Sequence, residues 1–487
     1  MKKIKKILLI NPPQVAGGIF LDGYQGTRPV LPPLGLAYIA SYLEKHGHQV
    51  DIFDGMVETA SPKEIARRSL NYDLIGITSI TFQVLLAYGV LKEVRRNNPQ
   101  IPIVIGGPHV SALPLEPLNR GLADFSVIGE GEETMLKIIR TLEENGDFTA
   151  IPGVAFRRED RIYPATGSGI IKDLNLLPFP ARHLLPMKKY RPSAIRGRRF
   201  PAASMITSRG CPMRCTFCFN QLPYRKMVRF TSVEKIVDEM IHLISTYGIR
   251  EIHFWDDNFL LDKARINEFC EILESRKLSI PFDCEGIINS FDPNILERLK
   301  KVGCYSVSYG IESGNQRILD KIKKQVTIDK IKNVVKMTKA IGLDVRGYFL
   351  FGFPTETRDE ILETIAFAKS LQLSDATFSL LIPLPGTEIY QEVHDKPQFM
   401  KEYWNKLVLS EISFPRLPLV YHPADVDETE LLTLHRLALK SFYLQPRQIL
   451  NKLLRAFSSY GVFKESIKGL KTVLCKSGVG SWSTRIR

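Results

Sequence analysis

Two stretches of this chain repeat one rhythm: a short apolar run, a turn rich in small residues, and a segment with helical spacing. In the first stretch the apolar runs lie at residues 7–10, 50–53, 74–79, 101–105 and 125–128, and helical spacing occupies 34–45 and 82–96. In the second they lie at 203–207, 251–255, 282–285, 305–309, 347–354 and 376–381. Strands without polar alternation must be covered on both faces, and helices between successive strands do this when the strands run parallel. The chain is therefore expected to be α/β. Residues 1–150 predict a doubly wound, Rossmann-like sheet, and residues 201–400 a partial (β/α)6 barrel. Both architectures place their ligands at the carboxyl ends of the strands. Residues 151–200 join them and are rich in proline, which restricts itself and the residue before it, so an ordered connector is expected. Residues 401–487 lose the rhythm and read as a helical region, with helices expected at 428–443, 447–457 and 463–474.

At 487 residues there is room for two or three cores. No apolar stretch approaches the ~20 residues of a membrane span, and the opening residues 1–11 are too short in their apolar part for a signal peptide. A cytoplasmic protein is expected. The net charge of +14 is uneven: residues 441–487 hold nine Lys or Arg and one Glu. There Ile449, Leu450, Leu453, Leu454 and Phe457 share a face flanked by Arg447, Lys452 and Arg455. The plainer reading docks this helix on the enzyme body; a second lays it on an anionic membrane. The tail is basic but lacks regularly interleaved aromatics, so nucleic acid is not expected as a partner.

Three of the seven cysteines crowd into one loop, Cys211-Pro-Met-Arg-Cys215-Thr-Phe-Cys218. Scattered and odd in number, the seven do not make a disulfide framework, which points to a reducing compartment. A structural zinc site would want a fourth ligand, and no Cys or His follows at a finger-like offset. Three thiolates can instead hold three corners of a cubane 4Fe-4S cluster, leaving one iron open to a ligand. Cys270, Cys284 and Cys304 read as packed core residues, Cys284 being the one nearest a pocket wall. Acids and small polar residues sit at the expected strand ends: Asp256, Asp257 and Asn258 after the second barrel strand, Glu312 and Ser313 after the fourth, Gly352 and Pro354 after the fifth.

With these motifs in view, the chain resembles the cobalamin-dependent radical S-adenosylmethionine (SAM) enzymes over residues 1 to 400. The front half does so through Asn11-Pro-Pro13, Pro32-Pro-Leu-Gly-Leu-Ala-Tyr38, Gly76-Ile-Thr-Ser79, Gly106-Gly-Pro-His109 and Gly129-Glu-Gly-Glu132. The resemblance implies cobalamin contacts at Asn11, Pro12, Ser79, Gly106, Gly107, Gly129, Glu130 and Gly131. The Asp-x-His-x-x-Gly signature of the methionine-synthase type is replaced by Asn11-Pro-Pro-Gln-Val-Ala16, so cobalamin is expected without a histidine lower ligand, His109 included. In the rear half the resemblance implies a 4Fe-4S cluster on Cys211, Cys215 and Cys218, with SAM held by Phe217, Asp256, Asp257, Asn258, Glu312, Ser313, Gly352 and Pro354. The activity so implied is methylation of an unactivated carbon through a 5'-deoxyadenosyl radical and methylcobalamin, with a flavodoxin or ferredoxin as electron donor and a small, hydrophobic substrate. Relatives of the oxidative cyclase and ring-rearranging kinds keep both cofactors without transferring a methyl group, and are the alternative.

Overall fold

The computed structural model describes residues 3–13, 30–191, 197–219, 227–400 and 419–456, with side chains as far as 451. The first expected unit is a seven-stranded sheet. Its strands are β1 (Lys6–Asn11), β2 (Gln49–Asp54), β3 (Leu74–Thr78), β4 (Ile103–Gly106), β5 (Phe125–Val127), β6 (Val154–Arg158) and β7 (Arg161–Tyr163). They lie in the order β2-β1-β3-β4-β5-β6-β7. β1 to β5 are parallel, as their unbroken apolar character requires, whereas β6 and β7 add an antiparallel edge. That edge falls in the stretch the sequence assigns to the connector. The strand order reverses between β1 and β3, so the loops leaving them diverge and open a crevice at the carboxyl ends.

The second unit is built from β8 (Ala202–Met205), β9 (Ser208–Arg209), β10 (Arg229–Phe230), β11 (Glu251–Phe254), β12 (Phe282–Gly286), β13 (Cys304–Glu312), β14 (Asp344–Phe351) and β15 (Asp375–Leu380). Six of these form a parallel sheet in the order β8-β11-β12-β13-β14-β15, a partial barrel with helices on one side. β9 and β10 form a separate antiparallel pair, Arg209 opposite Arg229. On the helix side, Phe254, Phe259, Phe269 and Phe282 pack largely edge to face, with Phe254 stacked on Phe259. Each fully buried phenylalanine contributes about 1.5–3 kcal/mol.

Helix starts follow the side chains that can satisfy free amides. Asp262 accepts from the Arg265 amide at 3.0 Å and opens Lys263–Ser275, and Asp292 caps Pro293–Lys301. One expectation fails. The spacing Thr231-Ser-Val-Glu234 predicts a capping box, which does not form because the cap residue of Val233–Tyr247 is Ser232, whose side chain makes no capping bond, and Glu234 lies one position too early. Full boxes form at Ser61 with Glu64 and at Thr357 with Glu360. Cys270, Cys284 and Cys304 are packed in the core as expected, with Cys284 beside Cys304.

The connector is strapped down. Buried Arg182 pairs with Glu239 at 2.6 Å and donates to the Ser204 carbonyl, while the Tyr190 hydroxyl donates to Asp54. At the far end, Glu428–Tyr443 docks against β15, with Tyr443 donating to Asp375, and Pro446–Ala456 follows it, with Gln448 donating to the Leu373 carbonyl just before β15. Ile449 and Leu450 of the second helix stay exposed. The helix expected at 463–474 lies outside the described residues. No described helix is long and apolar enough to cross a membrane.

Candidate active site at the domain cleft

The carboxyl ends of the two sheets face each other across a cavity of about 470 Å³. Its first wall comes from the front sheet. Asn11, Gly106, Gly107, Gly129, Glu130 and Gly131, all expected from sequence, line it together with Gly35 and Gly76. Seven glycine or asparagine positions on one wall leave backbone bare, so a broad flat ligand can lie against it. Gly107 shows why no side chain stands there: φ is +98°, and an added Cβ would lie 2.7 Å from the Ser79 carbonyl oxygen. Ser79 is fully buried and works through its backbone, which bonds Gly106 and His109. Pro12 likewise acts through its carbonyl, which accepts from Gln83 at 3.1 Å. The His109 ring is buried, with Nδ1 3.2 Å from Thr81 Oγ1 and Nε2 3.4 Å from Glu116.

Glu130 differs from its neighbours. Its carboxylate takes two bonds from Arg229, at 2.8 and 2.9 Å, one from the Ile171 amide at 2.6 Å, and lies 3.0 Å from Arg209. Arg209 reaches on to Glu132 at 2.6 Å and stacks over Tyr38. Burial would raise the Glu130 pKa, but the arginines hold it below the ordinary glutamate range. Glu130 is thus an ion-pair hub joining the two units, and Arg209 is two residues from Cys211.

The second wall consists of Ile206, Ser208, Arg209, Gly210, Trp255 and Asp257. Asp256, beside it, is wholly buried and turned inward. It accepts from the Thr207 amide at 3.0 Å, the Thr207 hydroxyl at 2.8 Å and the Ser208 hydroxyl at 2.5 Å, so it anchors the root of the cysteine loop. Burial raises its pKa, against the pull of Arg265. Asn258 ties the same strand end to Ser290 and to the Ile287 amide. Ser313 bonds Thr364 at 3.0 Å. Phe217 meets Phe353 with ring centroids 5.7 Å apart, which brings the cysteine loop against the turn containing Gly352 and Pro354. The amides of Gly352 and Phe353 donate to buried Glu356, whose pKa burial pushes up to about 8.

Cys211, Cys215 and Cys218 lie on one loop, held by bonds from the Thr216 amide to the Ile322 carbonyl and from the Ile389 amide to the Thr216 carbonyl. Burial raises the Cys211 and Cys215 thiols. Among the described residues no three metal-ligating side chains converge as for a single ion. Ligands to a cubane bind separate irons and need not converge on one point. The donor set, three thiols with a cation beside them, suits such a cluster.

That cation is Lys324, which the sequence did not single out because Lys321-Ile-Lys-Lys324 reads as a solvated charge run. Positive φ at Lys323 and Gln325 folds the run back and buries Lys324, whose Nζ lies 2.8 Å from Glu312. Burial would lower its pKa, but Glu312 and the nearby cysteines hold it above the ordinary lysine value. Glu312 itself has φ of 68° and follows a bulge in β13. Arg209 and Glu132 were also missed; one stands two residues before the cysteine motif and the other ends the Gly129–Glu132 motif, but their pairing spans 77 residues.

The radical SAM superfamily model matches residues 205–368 and the B12 binding domain model residues 27–139. An uncharacterized methyltransferase of Pyrococcus horikoshii is 33% identical over 475 residues, covering 97% of this chain and 99% of its own. The chain belongs to the cobalamin-binding radical SAM family. Among other members, the anaerobic magnesium-protoporphyrin IX monomethyl ester cyclase of Rubrivivax gelatinosus is 27% identical, covering 80% of this chain and 70% of its own. The solved structure of the radical SAM methyltransferase TsrM from Kitasatospora setae, with cobalamin and a [4Fe-4S] cluster, superposes with TM-score 0.71 at 17% identity, covering 98% and 100%. This likeness shows the fold. The cleft of this family member is accordingly the seam between its B12-binding and radical SAM domains.

Proposed function

We propose that this radical SAM enzyme is a cobalamin-dependent methyltransferase that places a methyl group on an unactivated carbon of a small molecule. The observation that carries the reading is the cleft itself, where a glycine-bare wall faces the root of a three-cysteine loop across one cavity. In this reading Asn11, Gly106, Gly107, Gly129 and Gly131 would hold cobalamin, Cys211, Cys215 and Cys218 would hold a 4Fe-4S cluster, and Phe217, Asp257, Glu312 and the Gly352 turn would hold SAM. When bound, these groups supply an electron, a hydrogen-abstracting radical and a transferable methyl group.

The chain's own residues do the positioning. Asp256 and Arg265 fix Thr207, so the cysteine loop leaves its strand in one orientation. Arg209 and Arg229 clasp Glu130 across the seam. On the barrel face opposite the helices, Tyr348 donates to Glu285 at 2.8 Å, so a substrate entering there meets hydrogen-bonding groups as well as apolar surface. The electron comes from a small flavodoxin or ferredoxin-type donor. The apolar residues Ile449 and Leu450 on the docked terminal helix are where membrane contact would occur.

Anaerobic reconstitution with iron, sulfide and cobalamin, followed by incubation with methyl-deuterated SAM, reductant and a cell extract, tests this. The expected result is retained iron and cobalt, with 5'-deoxyadenosine, S-adenosylhomocysteine and a deuteromethylated product formed together. Deoxyadenosine without a labelled product selects the cyclase-type alternative. Failure to retain cobalt refutes methyl transfer through cobalamin.

A further inference from the structure

Lys324 is an expensive residue in this fold. Its side chain and that of Glu312 are both nearly enclosed, at 8% and 11% exposure. A buried ion pair costs several kcal/mol of desolvation per ion and is commonly no more stable than an apolar pair of the same volume. The backbone is shaped to admit it: a Cβ on Gly310 would lie 2.5 Å from Glu312 Oε1 and 2.9 Å from Lys324 Nζ. The loop carrying the lysine is also tied to the cysteine loop, through the 3.1 Å bond from the Thr216 amide to the Ile322 carbonyl. The lysine charge favours the Cys215 and Cys211 thiolates, against Glu312 and Asp257. The lysine is thus a buried cation on a segment bonded to the cysteine loop.

We propose that Lys324 is a positioning residue that sets the reduction potential of the iron-sulfur centre on Cys211, Cys215 and Cys218, with Glu312 as its counterweight. The inference rests on the cluster reading given above. A cluster held by three thiolates gains one negative charge on one-electron reduction, and the electron comes from the external donor. A fixed positive charge in a low-dielectric surround favours the reduced form, and a fixed negative charge the oxidised form. Arginine at 324 would keep the sign of the effect and methionine would abolish it.

The test uses the full chain, reconstituted anaerobically, with iron and sulfide measured first and the potential then titrated by electron paramagnetic resonance in the absence of SAM. Lys324→Met is expected to lower the equilibrium constant for reduction at least about tenfold, which is about 59 mV for one electron. Lys324→Arg should stay within about twofold of the native chain. Glu312→Gln should move the potential the opposite way, a sign that a merely structural role would not produce. Equal potentials in the native and methionine chains, or shifts of the same sign for Lys324→Met and Glu312→Gln, overturn the proposal. Should Lys324→Met fail to load iron, the direction of the Glu312→Gln shift decides, and an unchanged or lowered potential overturns it. Absence of iron from the native chain would instead refute the cluster reading, before any potential is measured.

Discussion

Replacing Glu130 by glutamine tests how the two domains are held together. The carboxylate is 4% exposed and faces Arg229 and Arg209, both well buried, so its charge is screened by neither water nor salt. Removing one partner of such a group leaves an uncompensated buried charge, which costs about 3–5 kcal/mol. Glutamine keeps an oxygen for the Ile171 amide, and Arg209 retains Glu132, so the lower end, about 3 kcal/mol, applies. At 1.4 kcal/mol per tenfold, this is roughly a hundredfold in the folding equilibrium. Urea denaturation, followed by far-ultraviolet circular dichroism and by the fluorescence to which Trp255 on the cleft wall contributes, should show the loss. The double variant Glu130→Met with Arg229→Met should recover much of it, since an apolar pair carries no desolvation penalty. The effect also has a pH signature. The Glu130 pKa is depressed in the folded state, so its contribution is present above the ordinary glutamate range and lost as pH falls through the lower folded value. A loss below about 1 kcal/mol, the level of an exposed pair, would refute the account.

Three further outcomes are expected. Changing Cys211, Cys215 or Cys218 singly to alanine should abolish iron and sulfide retention after anaerobic reconstitution, whereas Cys270→Ala should leave the metal content unchanged; full iron loading in any of the three loop variants would contradict their ligand role. Gly107→Ala should reduce cobalamin retention in gel filtration by at least about tenfold, because a side chain at φ +98° collides with the Ser79 carbonyl and displaces the wall. Glu356 has a folded pKa raised to about 8, so its protonated form favours the folded state. Native stability measured against Glu356→Gln should therefore fall as pH rises from the ordinary glutamate range to about 8, with a slope of up to about 1.4 kcal/mol per pH unit, and a flat difference across that range would remove the argument.

The strands were legible because a parallel sheet covered on both faces tolerates little but aliphatic and aromatic residues. The strand-end glycines were legible as well. The acids were not: Asp256 and Asp257 are adjacent in sequence, yet one faces the cleft and its neighbour anchors Thr207 from within. Glu130 lines the cleft, but its hold by an arginine 99 residues away has no local signal. The capping box at Thr231 failed through a shift of one residue, which spacing alone does not resolve. Lys324 was hidden because burial of a lysine depends on a left-handed turn and on the bare Gly310 in β13.

Arg209 and Cys211 are separated by one residue. The arginine that fastens the B12-binding domain to the barrel is carried on the same short segment as the first cysteine. Metal-ligand positions and domain fastening thus share one stretch of backbone, so a change of its path reaches both.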